Sequence, residues 1–267
     1  MPPVPAYFDG LIKAFEAGAW GRQVHLGLWD TPPSPQALAE HGAHVRAMTR
    51  LDERVLAIAD MADGLRVLDV GCGLGGTLQG MDARHQGMTL TGVNIDGRQL
   101  AACRSLRPHE GNRMNWLQAD ATRLPLGDAS VDRVLCIEAM FHFSSRRTFL
   151  AEAARVLAPD GRLVATDIVV DPVRAGATDA AAVVAGFGPW PDLAQPESAA
   201  ENTPADVPGL RLMQPIDITA NTAPSHAYTA GGAEHIHDPV SRACHALRRL
   251  HEQGALRVLL LRWDRVR

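Results

Sequence analysis

Four residues in the run Val67-Leu68-Asp69-Val70-Gly71-Cys72-Gly73-Leu74-Gly75-Gly76 could do chemistry by type and spacing: Asp69, Gly71, Gly73 and Gly76. Glycines in this G-x-G-x-x-G order let the backbone turn sharply and lie against a ligand, while free N–H groups of a helix start face an anion. A carboxylate two residues before the first glycine would repel a pyrophosphate and suit an ammonium group. An amino acid carries both charges. The competing reading is a dinucleotide-binding loop, which normally lacks that acid. A second group of proton-handling types stands at Glu138-Ala139-Met140-Phe141-His142-Phe143, with Asp167 further along. Histidine and carboxylates are the usual general acids and bases near neutral pH. A third gathers His226, Tyr228, Glu234, His235, His237 and Asp238. His-x-His with flanking acids can bind a metal, but the spacing is not that of helical ligands, and no metal is expected.

These residues need elements to hold them. The glycine run reads as strand, turn and helix, the helix reaching about residue 83. Further strands are expected at 88–94, 114–118, 131–137, 162–168, 210–218 and 255–261, with the apolar 131–137 buried on both faces. In open α/β sheets ligands sit outside the carboxyl ends of the strands, where Asp69, Asn94, Glu138 and Asp167 all fall. Helical spacing predicts a short amphipathic helix near 7–15 and a helix over 35–61, whose charged residues read as a solvated face. Asp96, just before a helix, reads as an N-cap or a ligand. Residues 171–209 turn to Ala, Pro and Gly, with Phe187 and Trp190 in a stretch too apolar for a linker. A helix near 175–184 and a cap over a pocket are expected there.

The 267 residues, 46% hydrophobic, suffice for one large core, and a single domain is expected over 1–267. A formal charge of −4 with scattered Lys and Arg argues against nucleic acid as a partner. The four cysteines, at 72, 103, 136 and 244, lack C-x-x-C spacing and read as reduced buried thiols of a cytoplasmic protein. Neither an export signal nor a membrane span is visible.

Asp69 to Gly75 resembles the first motif of the class I S-adenosylmethionine (SAM) methyltransferases, an acidic residue followed by G-x-G-x-G. The resemblance implies SAM as cofactor, with Asp69, Gly71, Cys72 and Gly73 at its methionine end. Asn94, Ile95 and Gln99, in N-I-D-G-R-Q, are similar to the subgroup that holds the ribose through a short polar residue and a glutamine. Asp120 and Ala121, in A-D-A…L-P, resemble the adenine clamp, and Glu138 is grouped with the cofactor residues. The segment Val24-His25-Leu26-Gly27-Leu28-Trp29-Asp30 resembles the H-x-G-Y-W-D stretch of small-molecule methyltransferases, Leu28 replacing the tyrosine.

The nearest subgroups by motif are rebeccamycin-type sugar O-methyltransferases and the tocopherol and mycolic acid methyltransferases. The first carry E-x-x-H-H where this chain has Glu138 to His142, with Phe141 at the first histidine. His142 and Asp167 are therefore the expected catalytic pair, the competing reading being a histidine wedged structurally between phenylalanines. Phe141 argues against cyclopropanation. Tyr7, Trp20, His25, Phe141, Phe187, Trp190, His226 and Tyr228 are expected to line the acceptor pocket.

The expected fold is α/β, a Rossmann-like seven-stranded, mostly parallel sheet with one antiparallel edge strand and helices on both faces. An N-terminal helical lid (1–63), the SAM-binding core (64–170), the cap (171–209) and C-terminal strands and helix (210–267) complete it. The expected activity is methylation of a small-molecule acceptor, most readily the oxygen of a secondary metabolite, with a homodimer conceivable. The alternatives are carbon methylation of a prenyl diphosphate or polyketide, and a SAM-binding protein without catalysis.

Overall fold

The computed structural model describes residues 4–171, 173–194, 205–231 and 239–266. One sheet runs through it in the order β3-β2-β1-β4-β5-β8-β6, with β7 also paired to β8. The strands are β1 (Arg66–Val70), β2 (Thr89–Asn94), β3 (Arg113–Gln118), β4 (Val131–Ile137), β5 (Leu157–Val170), β6 (Leu210–Leu212), β7 (Ile216–Asp217) and β8 (Leu256–Arg265). β1 to β5 pair in parallel, and β8 is antiparallel to β5, β6 and β7. The antiparallel strand expected at this end of the sheet is therefore β8, one place in from the rim. Eight strands replace the expected seven because the sixth is cut in two. Pro215 stands in the gap and offers no N–H to the ladder.

Ten helices of the described residues surround the sheet: α1 (Phe8–Glu16), α2 (Pro35–Ala39), α3 (His41–Ile58), α4 (Gly76–Asp82), α5 (Gly97–Cys103), α6 (Arg146–Val156), α7 (Ala177–Phe187), α8 (Pro191–Ala194), α9 (Thr219–Gly231) and α10 (Pro239–Glu252). The helix expected over 35–61 is broken at Glu40, whose ψ of 117° is extended and ends α2. Alternation along the strands sorts the core into two layers. Leu135, Ile137, Val164 and Ile168 face α3, α7 and α10, whereas Val134, Cys136, Leu163 and Ala165 face α6. β4 is thus apolar on both sides, as its sequence requires.

Two local features place the site. The segment before α2 lies tight against α3, because a Cβ on Gly27 would stand 2.4 Å from that of Ala47. Gly27 N–H and Trp29 Nε1 both donate to Ser225 Oγ, at 2.8 and 3.0 Å, which ties the segment to α9 as well. At the other end, α1 lies over the carboxyl ends of the strands with none of its residues fully buried. Asp9 pairs with Arg98 of α5 at 2.6 Å, and the Arg22 guanidinium sits 4.8 Å from the Phe15 ring centre.

Candidate functional site

The glycine turn forms as its sequence demands. Gly71 has a φ of 80°, and a Cβ there would lie 2.4 Å from Ala139 Cβ, so only glycine fits. The amides of Gly71 and Cys72 both donate to Val93 O, at 2.8 and 3.1 Å, which locks the turn onto β2. Beyond it opens a cavity of about 350 Å³. Gly71, Gly73, Asn94, Ile95, Gln99, Asp120, Ala121 and Glu138 all line it, bringing together the expected cofactor residues from four strand ends. Asp69 and Cys72 instead line an adjoining recess of about 40 Å³, with Arg22, Gln23, His25 and Thr77.

The polar side chains of this cavity are bonded in place. Asn94 Nδ2 donates to Gln99 Oε1 at 2.7 Å and Asn94 Oδ1 accepts from Ile95 N–H at 2.9 Å. The Gln99 amide nitrogen is thereby the donor that remains on this lining residue. Asp120 Oδ1 accepts from the Thr122 amide and hydroxyl, at 2.9 and 2.8 Å, so its turn role and its place on the cavity wall coexist. Asp96 is the N-cap of α5 and accepts from Arg98 N–H.

Asp69 is 3% exposed, and burial, together with nearby Asp52, raises its pKa to about 7. No hydrogen bond among the described residues relieves it. A buried carboxyl without a donor, beside a glycine turn, is the complement of an amino-acid ammonium, so the residues present fit the methionine end of SAM. Close by, His25 Nε2 stands 3.3 Å from Asp52 Oδ1. Burial opposes charge on His25, but Asp52 outweighs it and the pKa rises to about 9. Asp52 also accepts from Gln23 at 2.8 Å and Thr77 at 3.0 Å. This corrects the reading of the charged residues of α3 as solvated: Asp52 and His44 are 5% and 1% exposed, on the stripe that also carries Met48 and Leu51. The signal was present, since His44, Met48 and Asp52 recur at four-residue steps.

A second cavity, of about 360 Å³, abuts the first. Tyr7, Trp20, His25, Phe141, Phe187, Trp190 and His226 line it as expected. Tyr228 does not. It opens onto a neighbouring groove and bonds His41 at 2.9 Å, while its ring stacks on His44. Sequence reasoning missed Leu11, Val24 and His44, which come from separate elements. Cys244, expected buried, is only partly so and lies on this wall. The two cavities share Tyr7, Leu11, Val24, Glu138 and His142.

At that shared wall His142 Nδ1 lies 2.8 Å from Pro189 O, which can only accept, so Nδ1 carries the proton. Nε2 then presents a lone pair and accepts from the Tyr7 hydroxyl at 3.3 Å. Burial lowers the His142 pKa to about 4 and raises that of Tyr7. Glu138 adopts a φ of 48°, a strained value for a residue with a side chain, and its Oε2 accepts from Leu26 N–H at 2.9 Å. Burial raises its pKa to about 7. Phe141 stacks on Trp190 with ring centres 4.2 Å apart.

Asp167 is the expected residue that the structure does not bring to His142. It is fully buried, and Arg146 holds it at 2.7 Å while reaching Asp192 at 2.9 Å. It lines neither cavity. Glu234, His235, His237 and Asp238 lie outside the described residues, among which no group of three or more His, Cys, Asp or Glu is placed to hold a metal. No described helix is long and apolar enough to cross a membrane.

Comparison with known proteins agrees with this geometry. A family profile described as a methyltransferase domain matches residues 68–165. Methyltransferase GfsG of Streptomyces halstedii is 38% identical over 224 residues, which span 82% of this chain and 76% of that protein. The 27-O-demethylrifamycin SV methyltransferase of Amycolatopsis mediterranei is 35% identical, over 59% of this chain and 55% of its own length. The crystal structure of geranyl diphosphate C-methyltransferase from Streptomyces coelicolor A3(2), with Mg2+, geranyl diphosphate and S-adenosyl-L-homocysteine, superposes with a TM-score of 0.71. At 17% identity over 99% of this chain and all of that one, it speaks for the fold alone.

Proposed function

The chain belongs to the class I SAM-dependent methyltransferases, and we propose that it methylates a hydroxyl oxygen of a small secondary metabolite, with His142 as the base. SAM supplies a methyl group on a sulfonium centre, already activated, so the protein's task is to position the acceptor and remove its proton. Asp69 would take the ammonium, Gln99 and Asn94 the ribose, and Asp120 with Ala121 the adenine. The carrying observation is His142 on the wall common to both cavities. Its Nδ1 proton is committed to Pro189 O, and its Nε2 lone pair faces a hydroxyl, that of Tyr7. An acceptor hydroxyl in the second cavity meets the same lone pair. The relative whose name specifies methylation at a rifamycin oxygen supports oxygen as the target. A net charge of −4 offers a phosphate backbone no footing.

Carbon methylation is a second reading, favoured by the Phe141–Trp190 pair, whose faces would stabilise a cationic centre. A prenyl diphosphate would find neither Arg nor Lys among the residues lining the acceptor cavity. His142→Ala separates the readings, with turnover measured on host extract by mass gain and SAM binding by thermal shift. Oxygen chemistry predicts a loss of kcat of about 10²–10⁴-fold with SAM binding intact. It also predicts, with SAM held saturating, a wild-type kcat whose acid limb lies near pH 4, since the base works deprotonated and its pKa is lowered to about 4. A loss of only a few-fold moves the assignment to carbon. A wild type that binds SAM and turns over nothing in the extract is a binding protein.

A further inference from the structure

Six buried side-chain polar atoms of the described residues have no hydrogen-bond partner, and five belong to residues of the acceptor cavity. They are His25 Nε2, His44 Nδ1, Glu138 Oε1, Trp190 Nε1 and His226 Nε2, while Ser130 Oγ lies elsewhere. Native proteins leave few such atoms, because burying a polar group unpaired is costly. His25 Nε2 is compensated by the Asp52 carboxylate at 3.3 Å. Of the other four, Glu138 feels the charged His25 ring without bonding it and the three nitrogens have no such compensation, and the four come from α3, the end of β4, the segment before α8, and α9. No single turn or network accounts for unpaired atoms on four elements whose residues line one space.

The chemistry of the four is specific. His44 and His226 are 1% and 2% exposed, and burial lowers their pKa values to about 4 and about 3, so both imidazoles are neutral near pH 7. A neutral ring nitrogen can donate or accept, Trp190 Nε1 only donates, and an ionised carboxylate only accepts. Hydroxyl and carbonyl oxygens complement this set. Between these atoms the wall is apolar, built by Leu11, Phe141, Ile168, Phe187 and Leu247. The volume, about 360 Å³, is in the range of sites for drug-sized molecules.

We propose that the acceptor is a polyoxygenated molecule on an apolar frame, and that His44 Nδ1 and His226 Nε2 bind oxygens other than the one methylated. The proposal rests on the methyltransferase reading but not on which atom receives the methyl group. It assigns the two histidines to recognition, away from the transfer wall at His142.

The test uses the full chain saturated with S-adenosylhomocysteine, as wild type, His44→Phe and His226→Phe. Thermal unfolding is measured with two matched probe pairs, quercetin against 3-hydroxyflavone and methyl cholate against methyl lithocholate. The more oxygenated member of at least one pair should raise the wild-type Tm more than its partner does. Both variants should lose most of that difference. Without a probe, the variants should melt no lower than wild type, because each replaces an unpaired buried polar ring by an apolar one, and phenylalanine preserves the stack of residue 44 on Tyr228. Three results overturn the proposal: no difference within either pair, a difference that survives in both variants, or unliganded variants less stable than wild type. The last would mean that the imidazoles serve the packing of the fold and are not kept for a ligand. None of these readouts is turnover, so failure of the base assignment at His142 and failure of this proposal are told apart.

Discussion

The two cavities that meet at His142 are close in size, about 350 and 360 Å³, yet they are built by opposite rules. The cofactor cavity takes its side chains from the carboxyl ends of neighbouring strands, and those side chains hold one another: Asn94 with Gln99, Asp120 with Thr122. The acceptor cavity takes its wall from α1, α3, α7, α9, α10 and Trp190, and leaves polar atoms unpaired on four elements. A pocket for one invariant ligand can be finished in advance, down to the donors left over. A pocket whose ligand distinguishes this enzyme from its relatives is finished by that ligand.

Substitutions can break or sharpen this contrast, and the largest effect is expected at Asp69. Asp69→Asn removes a buried carboxyl of the cofactor side that has no hydrogen-bond donor, and should weaken SAM by about 10- to 100-fold in titration calorimetry. The wild-type affinity should carry a pH signature. The Asp69 pKa is raised to about 7, and an ammonium needs the ionised form. Affinity should therefore fall by up to about tenfold per unit below about pH 7, a slope that Asp69→Asn abolishes. Equal affinity in both proteins would remove Asp69 from the site.

Gln99→Leu comes next. It strands the Asn94 donor in a buried place, costing about 1–3 kcal/mol, or roughly 2–10 °C in a melting curve. His226→Phe, on the other side, should cost nothing, and a reversal of this order would dissolve the comparison. Smallest is Thr122→Val, which deletes one of two bonds to Asp120 Oδ1 and should reduce SAM affinity about threefold.

The same division explains what could be read from the chain alone. Asp69, Gly71, Asn94, Gln99 and Asp120 were legible because each sits at a strand end or, for Gln99, in the first turn of the helix after it, within a short motif, and parallel strands bring their ends together without further information. The order of elements was legible from periodicity in the same way. Leu11, Val24 and His44 were not, since only the packing of distant helices makes them neighbours. Asp167 shows a different limit. It was expected at a strand end, but β5 runs on to Val170 and keeps Asp167 inside the ladder, where Arg146, in the first turn of α6, claims it. Pro215 was in plain view in the sixth strand, and its missing N–H is what splits that strand into β6 and β7.

One helix has a kinetic consequence. Tyr7 and Leu11 look down on both chambers, and α1, which carries Leu11 and has Tyr7 at its start, keeps no residue fully buried. An α1 that swings away would uncover both chambers together, since little more than an exposed ion pair and a few rings hold it. Turnover would then reset the whole enzyme at once instead of recharging one half while the other stays occupied.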